Sequence, residues 1–209
     1  VGAIAVTASP GLVPALLVGV SYAKGLAAAS GLPLLGINHF LGHIYGAFLD
    51  RHDALAQSST YPILSLVVSG GHTALVLIEA DGRANIVGST IDDAAGEAFD
   101  KAAKILGLGY PGGPVIDRLA KLGDPEAFDF PRPLTGGTGK PTPAEHRLNF
   151  SFSGVKTALL YQVKGHEMSE PRLHNLVASY QAAIVDVLVR KTLMAARQFG
   201  AATVVASGG

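Results

Sequence analysis

Two histidines one helical turn apart, His39 and His43, and a glycine turn further along, Ser69-Gly70-Gly71-His72-Thr73, are the residues of this sequence best suited to chemistry. Neutral imidazole nitrogens bind divalent cations, and an i,i+4 pair presents both rings on one face of a helix. The spacing also arises by chance, and a pair of buried or surface histidines satisfies it equally. No Glu follows His39, so the metalloprotease helix motif with its Glu base is absent. The glycine turn lets main-chain N–H groups approach an anion with no Cβ in the way. An ordinary hairpin turn has the same composition. A cation and a phosphate turn in one site would suit a nucleotide-like ligand.

Carboxylates and further glycines follow. Asp92-Asp93 precede a helical stretch that carries Glu97, Asp100 and Lys101, and Glu97 and Asp100 share a face. They read either as hydrogen-bond acceptors for ligand hydroxyls or as capping and a solvated face. Tyr110-Pro-Gly-Gly113-Pro-x-x-Asp117 is a second glycine turn feeding a helix. Gly113 would admit a ribose or base, and Asp117 would bind a hydroxyl; a plain helix entry with Pro114 in its first turn reads the same way. In Asn149-Phe-Ser-Phe-Ser153-Gly-Val-Lys156-Thr157 the aromatics show no simple period, and Ser153 is expected as an N-cap with Lys156 nearby. Lys140, His146, Arg147 and Lys156 form either a local basic patch or scattered, solvated cations.

The elements that must position these groups alternate between strand and helix. Strands are expected at Gly2–Thr7, Leu34–Ile37, Tyr61–Val68, His72–Glu79, Ala84–Ser89 and Thr203–Ala206. Helices are expected at Leu12–Ser30 with Gly31 as its C-terminal cap, from Asn38 as N-cap to Leu49, and at 93–106, 115–122, 153–163 and 172–199. Residues 51–60 read as a polar loop, and 123–149, rich in Pro, Gly and charge, as a long functional loop.

Composition narrows the class. With 209 residues, 48% hydrophobic and 15% charged, the chain can bury one sizeable core or two small lobes, and reads as a packed α/β enzyme. Its formal net charge is zero, so nothing global advertises nucleic acid or an anionic membrane. The absence of Cys removes thiolate ligands and Cys nucleophiles and fits a reducing compartment. Leu12–Leu32 is apolar but interrupted by Pro14, Lys24 and Ser30, so a buried helix is expected there, not a membrane span. No signal-peptide n-region precedes the first strand, and a cytoplasmic location is expected. Both ends read as strands lacking neighbours, so an internal piece of a longer protein, inactive and aggregation-prone alone, is expected.

Taken in order, these residues resemble the tRNA threonylcarbamoyladenosine transferase family (TsaD, the glycoprotease family) of bacterial or organellar type. The matching stretches are Ala5-Val-Thr-x-x-Pro-Gly-Leu12, Val18-Gly-x-x-x-Ala23-Lys24, Asn38-His39-x-x-Gly42-His43, Val68-Ser-Gly-Gly-His-Thr73, Ile91-Asp-Asp-Ala-Ala-Gly-Glu-Ala-Phe-Asp-Lys101, Tyr110-Pro-Gly-Gly-Pro114 and Phe150-Ser-Phe-Ser-Gly-Val-Lys-Thr157. The resemblance implies an α/β, two-lobed fold of the actin/Hsp70/sugar-kinase type, with lobes at about 1–89 and 90–209. It implies transfer of a threonylcarbamoyl group from threonylcarbamoyl-AMP to the adenosine beside the anticodon, position 37 of tRNA. His39 and His43 match the family's histidine ligands of one divalent metal, Fe2+ ahead of Zn2+, with a third ligand, an Asp, expected beyond Gly209. Val67, Val68, Ser69, Gly70, Gly71, Asp100, Gly113 and Asp117 match its nucleotide-contacting positions. No residue stands out as general base. The implied partners are tRNA, a paralogous actin-like subunit and a small P-loop ATPase. Two relatives in the same fold remain alternatives: a metal-dependent carbamoyltransferase and a non-catalytic actin-like subunit. The histidine pair argues against the second.

Overall fold

The structure, a computed structural model, describes residues 1–136 and 142–208. Two compact units divide the chain, Val1–Ala56 and Gln57–Gly209. The lobe boundary expected near 89–90 falls inside the second unit.

In the first unit, β1 (Ile4–Ser9) and β2 (Leu34–Asn38) pair in parallel, Ile4 opposite Leu34 and Thr7 opposite Ile37, joined by α1 (Val13–Ser30). Gly31 ends α1 at φ 67, the left-handed conformation that favours glycine, as its position after the apolar run predicts. The expected burial of this helix is not found: Ala23 is its one buried residue, and Leu17, Val18, Tyr22 and Leu26 are exposed. The apolar residues of α1 run all round its axis, whereas a two-stranded sheet covers only one stripe. By length and composition Val13–Ser30 also meets the requirement for crossing a membrane, alone among the described helices. After β2 comes α2 (His39–Gly46), three residues shorter than expected at its C-terminal end, followed by a 3-10 segment at Leu49–Ala56 that the sequence reads as polar loop.

The second unit centres on a four-stranded sheet ordered β5-β4-β3-β6. Strands β3 (Ile63–Val68), β4 (Thr73–Ile78) and β5 (Ala84–Ser89) form an antiparallel meander, and β6 (Thr203–Gly208) lies parallel to β3. β4 is buried at every position, as a near-continuous apolar run requires. Helices α3 (Ala95–Leu106), α4 (Gly112–Ala120), α5 (Ser153–Val163) and α6 (Glu170–Phe199) close a core with Leu64, Leu75 and Leu77 of the sheet. Small side chains on α3, Ala95, Ala98, Ala102 and Ala103, let its neighbours approach. Tyr180 of α6 packs edge-on against Phe99 and Phe130 and donates its hydroxyl proton to the Ala98 carbonyl at 2.9 Å. Its burial, with Asp93 adding to it, pushes the Tyr180 pKa up.

Two readings change in the segment before α5. Phe150 and Phe152 do follow a period, that of an extended strand: both are buried and stacked 6.2 Å apart, while Ser151 and Ser153 point to Asp92. Ser153 is the first helical residue, not the N-cap; Phe152 takes that place without a side-chain cap. The long loop 123–149, where described, is a strap tied to α6. Asp124 donates its N–H to Asn175, Phe128 donates its own to Ser179, and Arg132 pairs with Asp186.

Candidate functional site

The histidine pair is built by local rules. Asn38 stands at the N-cap in extended conformation and accepts the Phe40 N–H at 2.9 Å, so α2 starts at His39 and the helical repeat aligns His39 with His43. Their Nε2 atoms converge to 3.0 Å, rings edge to face with centroids 4.4 Å apart. Metal–imidazole bonds of about 2.0–2.1 Å place two nitrogens of one cation roughly 3 Å apart when the angle between them is near a right angle. The pair thus fits two ligands of a single divalent ion; with one N–H donated to the other ring it is equally a hydrogen bond. His39 is exposed and His43 half-buried, so the ligand face opens outward. Among the described residues no group of three His, Cys, Asp or Glu gathers to hold a metal. A cation on this pair therefore needs ligands beyond these two.

The glycine turn, in the second unit, is built by packing. Ser69 N–H reaches the His72 carbonyl at 2.8 Å, and His72 N–H reaches Ser69 Oγ at 3.1 Å, which closes a tight turn between β3 and β4. The N–H groups of Gly70 and Gly71 make no hydrogen bond among the described residues, and a Cβ on either would meet open space. Beside the turn stands the N-terminus of α3. Ala95 N–H is taken by Thr73 Oγ1 at 2.8 Å, and Gly96 lies so close that a Cβ there would come within 2.7 Å of Gly70 Cα and the Ser69 carbonyl. Two free donors next to the positive end of a helix make an anion cradle. Val67 and Val68 lie further back. They pair with Ala74 and Thr73 on one side and with Ser207 and Gly208 on the other, so their main chain is engaged in the sheet and Val67 is fully buried.

One turn along α3, Glu97 and Asp100 share a face, as their spacing predicts, and line a cavity of about 490 Å³ with Lys101, Lys104, Gly109 and Tyr110. Asp100 Oδ1 accepts the Gly112 N–H at 2.7 Å, which leaves Oδ2 for a ligand. That bond requires Gly112: a Cβ there would sit 2.6 Å from the Phe99 carbonyl. Gly113, next to it, faces open space. Asp117 is not among the cavity's lining residues. It is exposed on α4, with Oδ2 on Lys121 at 2.7 Å and Oδ1 on Gln181 at 3.2 Å, and these bonds, Lys121 first, hold its carboxyl below the usual range.

Asp92 and Asp93 form an internal clamp in place of the ligand contacts their position allows. Asp92 accepts from Ser151 Oγ, Ser153 Oγ and the main-chain N–H groups of Phe152 and Ser153. Burial pushes its pKa up, but these bonds outweigh burial and bring it below 3.8. Asp93 pairs with Lys101 at 2.6 Å and lies 3.4 Å from Lys156 Nζ. Sequence reasoning missed that clamp; the alternation Phe-Ser-Phe-Ser signals that the two serines share a face, but not that Asp92 meets them. Of the four cations read as either a basic patch or scattered charges, Lys140 lies outside the described residues, Lys156 turns to Asp93, and His146 bonds Asn149.

The sequence model of TsaD, tRNA N6-adenosine threonylcarbamoyltransferase, matches residues 1–209. Curated relatives of that name agree. The one from Syntrophotalea carbinolica is 52% identical over 208 residues, 99% of this chain and 57% of the relative. The one from Thermosipho africanus is 46% identical over 211 residues, 99% of this chain and 58% of the relative. The one from Anaeromyxobacter dehalogenans strain 2CP-1 is 53% identical over 208 residues, again 99% and 58%. The chain thus spans just under three-fifths of the length of these relatives. On a match that runs from end to end, the chain belongs to the TsaD family of tRNA N6-adenosine threonylcarbamoyltransferases.

Proposed function

We propose that the protein containing this chain transfers a threonylcarbamoyl group from threonylcarbamoyl-AMP to the N6 amine of adenosine 37 in tRNA. The observation that carries the reading is the anion cradle: Gly70 and Gly71 N–H groups, unbonded among the described residues, beside the N-terminus of α3, held there by Gly96 and the Thr73–Ala95 bond. On this reading the anion is the adenylate phosphate. Gly70 and Gly71 donate to its oxygens, and Ser69 shapes the turn. The main chain of Val67 and Val68 backs it from the sheet. Asp100 offers Oδ2 to a ribose hydroxyl, and Gly113 leaves room for the nucleoside. Asp117, exposed on α4 with one bond on each oxygen, keeps acceptor capacity for a second hydroxyl.

In the transfer, the N6 lone pair forms a bond to the carbamoyl carbon. The bond from that carbon to the phosphate oxygen breaks, AMP leaves with the electron pair, and the amine proton passes to the leaving phosphate. Donors fixed on the phosphate before the reaction favour its departure. His39 and His43 would hold one divalent cation, Fe2+ ahead of Zn2+, which when bound supplies Lewis-acid polarisation of the acyl group. The rest of the reading is a two-lobed actin-like architecture in the cytoplasm, with a paralogous actin-like subunit and a small P-loop ATPase as partners.

The test separates the two elements. In the whole protein, His39→Ala and His43→Ala are expected to abolish stoichiometric metal by elemental analysis while circular dichroism stays unchanged. Gly71→Val is expected to weaken a non-hydrolysable adenylate analogue about tenfold or more by calorimetry. Full metal in both histidine variants removes the metal assignment; unchanged analogue affinity in Gly71→Val removes the cradle.

A further inference from the structure

The C-terminal half of α6 and the strap enclose an open cavity of about 1070 Å³ that the reading above does not use. Its walls carry Arg147 from the strap and Arg190, Lys191 and Arg197 from α6, against one carboxylate, Glu145. Four of the chain's 16 Lys and Arg residues thus line one cavity of a chain whose net charge is zero. Such a concentration of one sign in a concave surface raises the local potential for anions.

The cations differ in what they already do. Arg190 gives Nε to Asp186 at 2.7 Å. The guanidinium groups of Arg147 and Arg197 have no ion pair or hydrogen bond among the described residues, and both are exposed. Lys191 is fully buried and pairs with no carboxylate among the described residues; its Nζ donates to the Leu134 and Arg147 carbonyls at 2.5 and 2.6 Å. Leu134 takes a left-handed φ of 59, rare for a branched side chain, and its carbonyl reaches this ammonium. Burial, and then the Arg147 charge, bring Lys191 down to about 8, so it is still mostly protonated at neutral pH. An arginine in the last turn of a helix also complements the helix dipole, which accounts for Arg197 alone. It does not account for Arg147, or for an ammonium that lines the cavity and meets two carbonyls but no carboxylate among the described residues.

We infer that this cavity is a contact site for the RNA phosphodiester backbone, with Arg147 and Arg197 pairing to phosphate oxygens over the fixed positive floor of Lys191. The inference rests on the reading that the protein acts on tRNA. The volume exceeds what a single phosphate needs, and Val87, Leu193 and Met194 give apolar wall for ribose. Forked guanidinium groups suit phosphate oxygens better than point charges do.

The test uses the whole protein and a tRNA transcript in filter binding between about 50 and 200 mM salt. Arg147→Gln/Arg197→Gln together should weaken binding about tenfold and lower the slope of log K against log salt by roughly 1.5, near 0.7–0.9 for each phosphate no longer neutralised. Both side chains are exposed, so the fold should persist, and unchanged affinity for an adenylate analogue checks that it does. Unaltered affinity and slope in the double variant overturn the site and leave the tRNA reading standing. If the wild-type protein binds no tRNA at low salt, both fall. Inorganic phosphate binding that depends on Arg147, with tRNA binding intact in the double variant, makes this a small-anion pocket and overturns the RNA assignment.

Discussion

In the unit Val1–Ala56 the buried apolar residues are Ala23, Ile44 and Phe48, while in Gln57–Gly209 sheet and helices close over Leu64, Phe150, Phe152, Tyr180 and their neighbours. The two halves of the proposed chemistry divide the same way. The histidine pair depends on a helix repeat and an N-cap, interactions within five residues of one another. The anion cradle depends on contacts between segments far apart in sequence: Gly96 against Gly70, Thr73 against Ala95, and Asp92 against Ser151–Ser153. A site built from local geometry tolerates a thin core, whereas one built from tertiary packing fails when the core shifts.

The largest test of that contrast compares truncations. Phe152→Ala removes a fully buried ring from the second unit and should cost about 3–5 kcal/mol. Leu17→Ala on α1, where the side chain is exposed, should change stability by about 0.5 kcal/mol or less. Urea denaturation of both variants decides it. An equal cost for Leu17→Ala would mean that α1 is covered in solution and would break the contrast.

Next in size is the close approach at the cradle. Gly96→Ala puts a methyl 2.7 Å from main-chain atoms that cannot swing away, and should cost about 1–3 kcal/mol and weaken adenylate binding. Gly71→Ala points a methyl into open space, so it should leave denaturation unchanged and weaken the ligand alone. Equal stability losses in the two would remove the distinction between a glycine that packs and one that leaves room.

The Asp92 clamp gives a pH signature. Its folded pKa lies below the unfolded value of 3.8, so its contribution is fully present above 3.8 and is lost as pH falls through the lower folded value. Asp92→Asn should cost about 1–2 kcal/mol at neutral pH, reduced by the carboxylate's partial exposure. The difference from wild type should shrink on acidification. A constant difference down to the lowest accessible pH would assign the loss to geometry instead of charge.

Local features were legible in the sequence: the Asn38 cap, the Gly31 terminator, the β3–β4 hairpin and the shared face of Glu97 and Asp100 all follow from periods and caps. What was not legible is what a side chain meets across the fold. Asp117 stands in its motif as read, but its bonds to Lys121 and, across the fold, to Gln181 could not be read there. Asp92 reads as either a ligand acceptor or a capping residue until Ser151 and Ser153, about sixty residues on, arrive beside it. The basic cavity escaped for the same reason: Arg147 and the α6 cations are separated by some forty residues, and composition averages them to zero net charge. The α1 reading failed in the opposite direction, because apolar spacing reports what a helix is able to bury and not how much partner surface its unit supplies.

The smallest expected effect returns to the first unit. Asn38→Ala removes the acceptor of the Phe40 N–H and should cost about 1 kcal/mol, concentrated in α2. With few tertiary contacts to hold its first turn, α2 should fray there, and His39 is the first helical residue. His43, a turn further in, stays helical. The convergence of the two Nε2 atoms at 3.0 Å then depends on a residue that is no longer fixed. The expected result is metal binding weakened severalfold with the same stoichiometry, and hydrogen exchange accelerated in residues 39–43 but not in β3 or α3. Asn38→Asp, which keeps an acceptor at the cap, should restore both. Unchanged metal affinity in Asn38→Ala would show that something other than the local cap aligns the pair, and the division between a locally built and a packing-built site would no longer stand.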